Sequence, residues 1–139
     1  MDGLLKSKVA IITGAGSGVG RAATLLFTRH GARVMAADVN SASVEETVAL
    51  ARKEGGDAQA ATCNVADTKS VAQLVKATVA AFGRLDVMYN NAGVTATKPA
   101  LDQDERSWDS VIDTNLKGVW MVAQAAARKM VDNKVKGSI

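Results

Sequence analysis

A chain of 139 residues, 47% hydrophobic and 22% charged, has the balance of a single folded domain that can bury a core. Its net charge of +3 comes from scattered basic residues, and no aromatics interleave with Lys129, Lys134 and Lys136, which argues against a nucleic-acid surface. No uncharged run is long enough for a membrane span, no secretory leader is apparent, and Cys63 is the sole cysteine, so a reducing, cytoplasmic setting is expected.

Strand and helix patterns alternate along the chain. Lys8–Ile12 reads as a first strand, followed by the turn Thr13–Gly20 and a helix whose predicted apolar stripe is Val19, Ala22, Ala23 and Leu26. His30 and Gly31 close that helix, and Arg33–Asp38 is a second strand. Ser43 with Glu46 has the spacing of a capping box, and Val44, Thr47, Val48 and Ala51 give the next buried stripe, stopped by Gly55-Gly56. Ala58–Thr62 is a short third strand, after which Cys63 reads as a small core filler. Asp67 caps a helix with the stripe Val71, Leu74, Val75, Thr78 and Phe82, ended by Gly83. Asp86–Asn90 is the fourth strand, a polar loop carries Pro99, and one long helix is predicted from about Asp104 to Val131. Gly137-Ser138-Ile139 opens a fifth strand. This alternation predicts an α/β fold with a doubly wound parallel sheet.

Ligands on such sheets bind beyond the carboxyl ends of the strands, which singles out Gly14–Gly20, Asp38, Cys63–Val65 and Asn90–Gly93. The glycines at 14, 16, 18 and 20 let the backbone turn and approach a ligand, while the following helix offers free N–H groups and its positive end to a pyrophosphate. Asp38 is placed to accept hydrogen bonds from an adenosine ribose. Its charge opposes a 2′-phosphate, and neither the residues after it nor Ser17 are basic, so NAD is expected over NADP. The Asn64 amide suits an adenine edge or, equally, an Asx turn. Asn90-Asn91-Ala92-Gly93 suits a locked backbone with a ligand close by. Asn115 falls on the stripe of Trp108, Val111, Ile112, Leu116, Val119, Trp120 and Ala123, so burial is expected, with either a structural or a functional role. Gly118 one turn on suggests a close backbone approach or a bend. His30 has no second His or Cys at metal spacing, so no metal is expected.

Together these features resemble the short-chain dehydrogenase/reductase family of the short, single-domain type. Thr13, Gly14, Gly18 and Gly20 match its T-G-x-x-x-G-x-G pattern, and Asn90–Gly93 match its N-N-A-G string at the right distance from Asp38 and Asn64-Val65. The resemblance implies a Rossmann fold across residues 1–139, incomplete on its C-terminal side. It implies NAD held by Gly14, Ser17, Gly18, Val19, Gly20, Asp38, Asn64, Val65, Asn91, Ala92 and Gly93. It also implies that Asn115 is the asparagine of the family's Asn-Ser-Tyr-Lys set, bending a helix and holding a water in a proton relay.

Two positions depart from the pattern: Asn64 stands where Asp is common, and Tyr89 is bulkier than expected in its strand. The catalytic serine and the Tyr-x-x-x-Lys pair are not among these residues: Ser138 comes too early, and Tyr89 has no lysine four residues later. The resemblance therefore implies the cofactor half of an enzyme that interconverts a secondary alcohol and a ketone, inactive alone, with an exposed edge on its fourth strand. It further implies a homotetramer or dimer packed through the helix at 104–131. Two alternatives stay open at this point: a non-catalytic NAD-binding module that assembles with a partner chain, and a methyltransferase with a similar loop.

Overall fold

Strand β1 (Val9–Thr13) sets the layering, because its side chains alternate between two buried faces. Val9 and Ile11 join one apolar cluster, and Ala10 and Ile12 join another. A strand buried on both sides must be central and covered above and below. In the computed structural model, which describes residues 3–139, β1 pairs in parallel with β2 (Arg33–Asp38) and β4 (Val87–Tyr89), and β2 pairs with β3 (Asp57–Thr62). The strand order is β3-β2-β1-β4, so the direction of winding reverses at β1. Helices α1 (Gly18–Arg29) and α2 (Ser41–Lys53) cover the Ala10/Ile12 face, while α3 (Thr68–Phe82) and α5 (Val119–Asp132) cover the Val9/Ile11 face. The sheet is therefore doubly wound, as the alternation of elements predicts.

The predicted stripes of α2 and α3 are the buried residues of those helices. Asp67 caps α3 by accepting from the Ser70 N–H at 2.7 Å, and Gly83 ends it with φ +82°. Helix α1 differs from expectation. Val19 and Leu26 are exposed, and the buried positions are Gly20, Thr24 and Thr28. The threonine hydroxyls donate to carbonyls four residues back, Thr24 to Gly20 at 2.9 Å and Thr28 to Thr24 at 3.1 Å. With the hydroxyls satisfied, these small side chains let α1 lie close on the sheet. The start of α2 differs too. Asn40 is the cap, its Oδ1 accepting from the Ser43 N–H at 3.0 Å, so Ser43 lies inside the helix.

The long helix predicted from Asp104 is three segments. Asp104 caps α4 (Glu105–Ile112), a π-helical stretch follows over Asp113–Gly118, and α5 continues. Wider turns there break the 3.6-residue register on which the predicted stripe depends. Leu116, Val119 and Trp120 are consequently exposed, and α5 buries Met121, Val122, Ala126 and Met130 instead; Trp108, ahead of the stretch in α4, is exposed with the rest of that helix, which buries no residue.

Beyond β4, Ser138 bridges Val87 in parallel: its N–H donates to Asp86 O and its carbonyl accepts from the Met88 N–H, both at 2.9 Å. The outer edge of β4 is therefore partly paired, where the sequence reading leaves it exposed. Tyr89, the strand's bulky departure, meets the Phe27 ring of α1 edge-on at 5.8 Å. At the far end of β4, Asp86 is 2% exposed and accepts from the Val9 N–H at 2.9 Å and from Arg84 at 2.6 and 2.8 Å. Burial pushes its carboxyl up. The Arg84 hydrogen bonds, the Val9 N–H and the charges of Arg84 and Lys8 outweigh this and hold it below the usual carboxylate range.

Candidate functional site

Residues 13–20 carry β1 into α1, and the carbonyls along this turn are drawn onto protein donors. Asn91 Nδ2 donates to Thr13 O at 3.1 Å and Gly14 O at 3.3 Å, Thr47 Oγ1 to Ala15 O at 2.9 Å, and Arg21 Nη2 to Gly16 O at 2.7 Å. The first turn of α1 leaves the N–H groups of Gly18, Val19 and Gly20 without partners within the helix, and the Ser17 side chain caps none of them. A turn whose carbonyls are held by the protein, running into a helix start whose first N–H groups are uncapped, is polarised for an anion.

The glycines divide by surroundings. A Cβ on Gly20 would sit 2.1 Å from Gly14 O, so Gly20 permits the close approach of α1 to the loop. A Cβ on Gly18, where φ is +51°, would meet open space, so this residue faces outward.

Asp38 ends β2, with Oδ2 accepting from the Gly16 N–H at 2.9 Å and Oδ1 from the Asn40 N–H at 3.0 Å. The carboxylate is thereby fixed beside the loop with lone pairs to spare. Asn64 Oδ1 accepts from the Ala66 N–H at 3.0 Å, so the Asx turn forms while its Nδ2 is free of that bond. A cleft of about 120 Å³ opens at the strand tips, lined by Gly14, Asp38, Asn64, Val65, Ala92 and Gly93 from the predicted set. Val39, Cys63, Val94 and Thr114 complete the lining. Burial raises the Cys63 thiol above its ordinary range, consistent with a packing residue.

Ser17, Val19 and Gly20 lie on the adjoining turn rather than in the cleft wall. The Asn91 side chain turns onto the loop carbonyls, so what it governs is the shape of the loop. Thr13 Oγ1 complements it by accepting from the N–H groups of Asn91 and Ala92, both at 3.1 Å. Asn115 is exposed, contrary to the expectation of burial, because the π-helical stretch turns it outward. It still satisfies both ends of its amide: Oδ1 accepts from the Val94 N–H and Nδ2 donates to Val94 O, each at 2.8 Å. Gly118 brings this stretch close to the cleft, since a Cβ there would meet Val65 Cγ2 at 2.9 Å.

Val94 also borders a second, open cleft of about 430 Å³, lined by Lys98, Asp104, Arg106, Ser107 and Val111 among others. Lys98 is paired with Asp104, and its hydrogen bond holds the Asp104 carboxyl below the usual range. The sequence reading misses Thr114 and the Arg21–Thr47 contacts to the loop. The π-helical stretch hides the first, and partners 26 residues apart hide the second. Among the described residues no cluster of His, Cys, Asp and Glu could hold a metal, and no helix is long and apolar enough to cross a membrane.

The sequence and fold are similar to those of known proteins. The chain is 39% identical over 135 residues to a 3-oxoacyl-(acyl-carrier-protein) reductase of Thermotoga maritima, covering 97% of this chain and 54% of that one. A short-chain type dehydrogenase/reductase from Mycobacterium marinum superposes with a TM-score of 0.93 at 32% identity, covering 96% of this chain and 52% of that one. An NAD+-bound xylitol dehydrogenase superposes with a TM-score of 0.91 at 29% identity, covering 97% and 52%. The chain spans about half the length of the curated relatives it matches. With these similarities, and the family model for short chain dehydrogenase matching residues 8–139, the chain belongs to the short-chain dehydrogenase family of oxidoreductases.

Proposed function

We propose that this chain holds NAD(H) for hydride transfer between a secondary alcohol and a ketone, as the cofactor-binding half of such an enzyme. The observation that carries this reading is the convergence of Gly14, Asp38, Asn64, Val65, Ala92 and Gly93 on one cleft beside the donor-rich start of α1. The free N–H groups of Gly18, Val19 and Gly20 suit the pyrophosphate, with Ser17 at the helix cap. Asp38 suits the adenosine ribose, and Asn64 Nδ2 with Val65 suits the adenine. Gly93 and Ala92 leave room for the nicotinamide, on a wall whose backbone Asn115 and Asn91 fix through Val94 and Thr13. When bound, the nicotinamide supplies or accepts the hydride.

Asn115 is proposed as the family's catalytic-set asparagine, here positioning the cleft wall. Tyr89, the only tyrosine, is half-buried in β4 against Phe27, so these residues supply no phenol to move the substrate proton. General acid–base help contributes a factor of about 100 to 10,000, so binding without turnover is proposed for the chain by itself.

Preference for NAD rests on charge. Asp38 opposes a 2′-phosphate, Val39 and Asn40 follow it, and the guanidinium of Arg21 is already paired with Glu46 at 2.8 Å. A homotetramer or dimer is proposed through the exposed apolar residues Trp108, Leu116, Val119 and Trp120, in a cytoplasmic setting. Titrating NADH and NADPH by nucleotide fluorescence tests the central reading. A preference for NADH supports it, and failure to bind either nucleotide refutes it.

A further inference from the structure

We infer that Arg21 is a positioning residue for the cofactor loop, holding its carbonyls away from the phosphates from beneath. The inference rests on the dinucleotide reading of the site. One planar guanidinium reaches three acceptors at 3.0 Å or less, with Ser43 O further off at 3.5 Å: Nη2 donates to Gly16 O at 2.7 Å and Glu46 Oε2 at 2.8 Å, and Nε donates to Thr47 Oγ1 at 3.0 Å. Thr47 passes the contact on, its hydroxyl donating to Ala15 O at 2.9 Å. Both central carbonyls of the turn are therefore anchored, directly or through one hydroxyl, by a side chain from α1 and another from α2.

A carbonyl that swung outward would place a partial negative charge where an anion has to sit. The planar fork is required, because a lysine point charge keeps the pair with Glu46 but does not span Gly16 and Thr47 together. Arg21 is only 28% exposed, whereas its counterpart at the other end of the same two helices, Arg29, is 57% exposed and pairs with Glu54 at 2.7 Å without touching the loop. Arg29 is thus an internal control for loosening of the helix pair.

The test compares Arg21→Met, Arg21→Lys and Arg29→Met by NADH titration and by hydrogen exchange at two loop amides. These are Ala15, which donates to Ala37 O at 3.0 Å, and Gly16, which donates to Asp38 at 2.9 Å. Arg21→Met is expected to weaken NADH binding by about tenfold and Arg21→Lys by nearly as much, with faster exchange at both amides. Arg29→Met is expected to leave binding and loop exchange as in the parent while lowering Tm. Unchanged exchange and affinity in Arg21→Met overturns the inference, as does an equal loss in Arg29→Met. If the parent protein binds no NADH yet loop exchange still depends on Arg21, the brace stands and the dinucleotide reading falls.

Discussion

Asn115 and Val94 are joined by two hydrogen bonds of 2.8 Å, the side-chain amide of one matching the backbone N–H and C=O of the other. The pairing closes 21 residues of chain and ties the π-helical stretch to the cleft wall. It also gives an exposed amide a fixed orientation. Asn115→Ala removes both bonds and is expected to destabilise the fold by about 1–2 kcal/mol, read by urea denaturation. Asn115→Asp keeps the acceptor but sets a carboxylate oxygen against Val94 O in place of the donor, so a loss at least as large is expected.

The glycines of the loop make a paired prediction. Gly20→Ala places a methyl group 2.1 Å from Gly14 O and is expected to cost about 2 kcal/mol or more, with α1 displaced. Gly18→Ala meets open space and bears only the strain of φ +51°, about 1–2 kcal/mol. Thermal unfolding of the two variants ranks them. A Gly18 variant less stable than the Gly20 variant would contradict the packing described.

Asp86 predicts an acid-sensitive component of stability. Its folded carboxyl titrates below the unfolded value of about 3.9, so its contribution is complete above that pH. The contribution is lost as pH falls through the folded value, because protonation then precedes unfolding. Asp86→Asn removes the charged partner of Arg84 and is expected to cost about 2 kcal/mol at neutral pH. The variant should also lose less stability than the parent between pH values of about 5 and 2, which denaturation curves across that range measure.

Asp38 predicts the cofactor preference. The parent is expected to bind NADH at least about tenfold more tightly than NADPH, a difference of about 1.4 kcal/mol. Asp38→Ala should narrow that ratio by removing the repulsion, and should weaken NADH binding because the Gly16 N–H loses its acceptor. Competitive fluorescence titration separates the two effects.

How much was legible in the sequence follows from the range of each interaction. The stripes of α2 and α3 are local patterns of apolar residues at helical spacing, so they read directly. In α1 the buried face is Gly20, Thr24 and Thr28, and a hydropathy pattern passes over threonines whose hydroxyls bond within the helix. The π-helical stretch leaves no spacing signal beyond Gly118, so a regular helical period places the stripe of the last helix in the wrong register and puts Asn115 on its buried face. Strand-end residues were legible because topology alone gathers them. The loop carbonyls held by Asn91 and the Val9 N–H held by Asp86 lie more than 70 residues away in sequence, and only the folded sheet brings them together.

The central claim is that four strand tips and the start of α1 hold one dinucleotide. An NMR titration of backbone amides with NAD+ tests it most directly. The predicted result is one saturating set of shifts spanning Gly14–Gly20, Asp38, Asn64-Val65 and Ala92–Val94, at one nucleotide per chain. Shifts confined to the cleft of Lys98 and Arg106, or none at millimolar nucleotide, would contradict it.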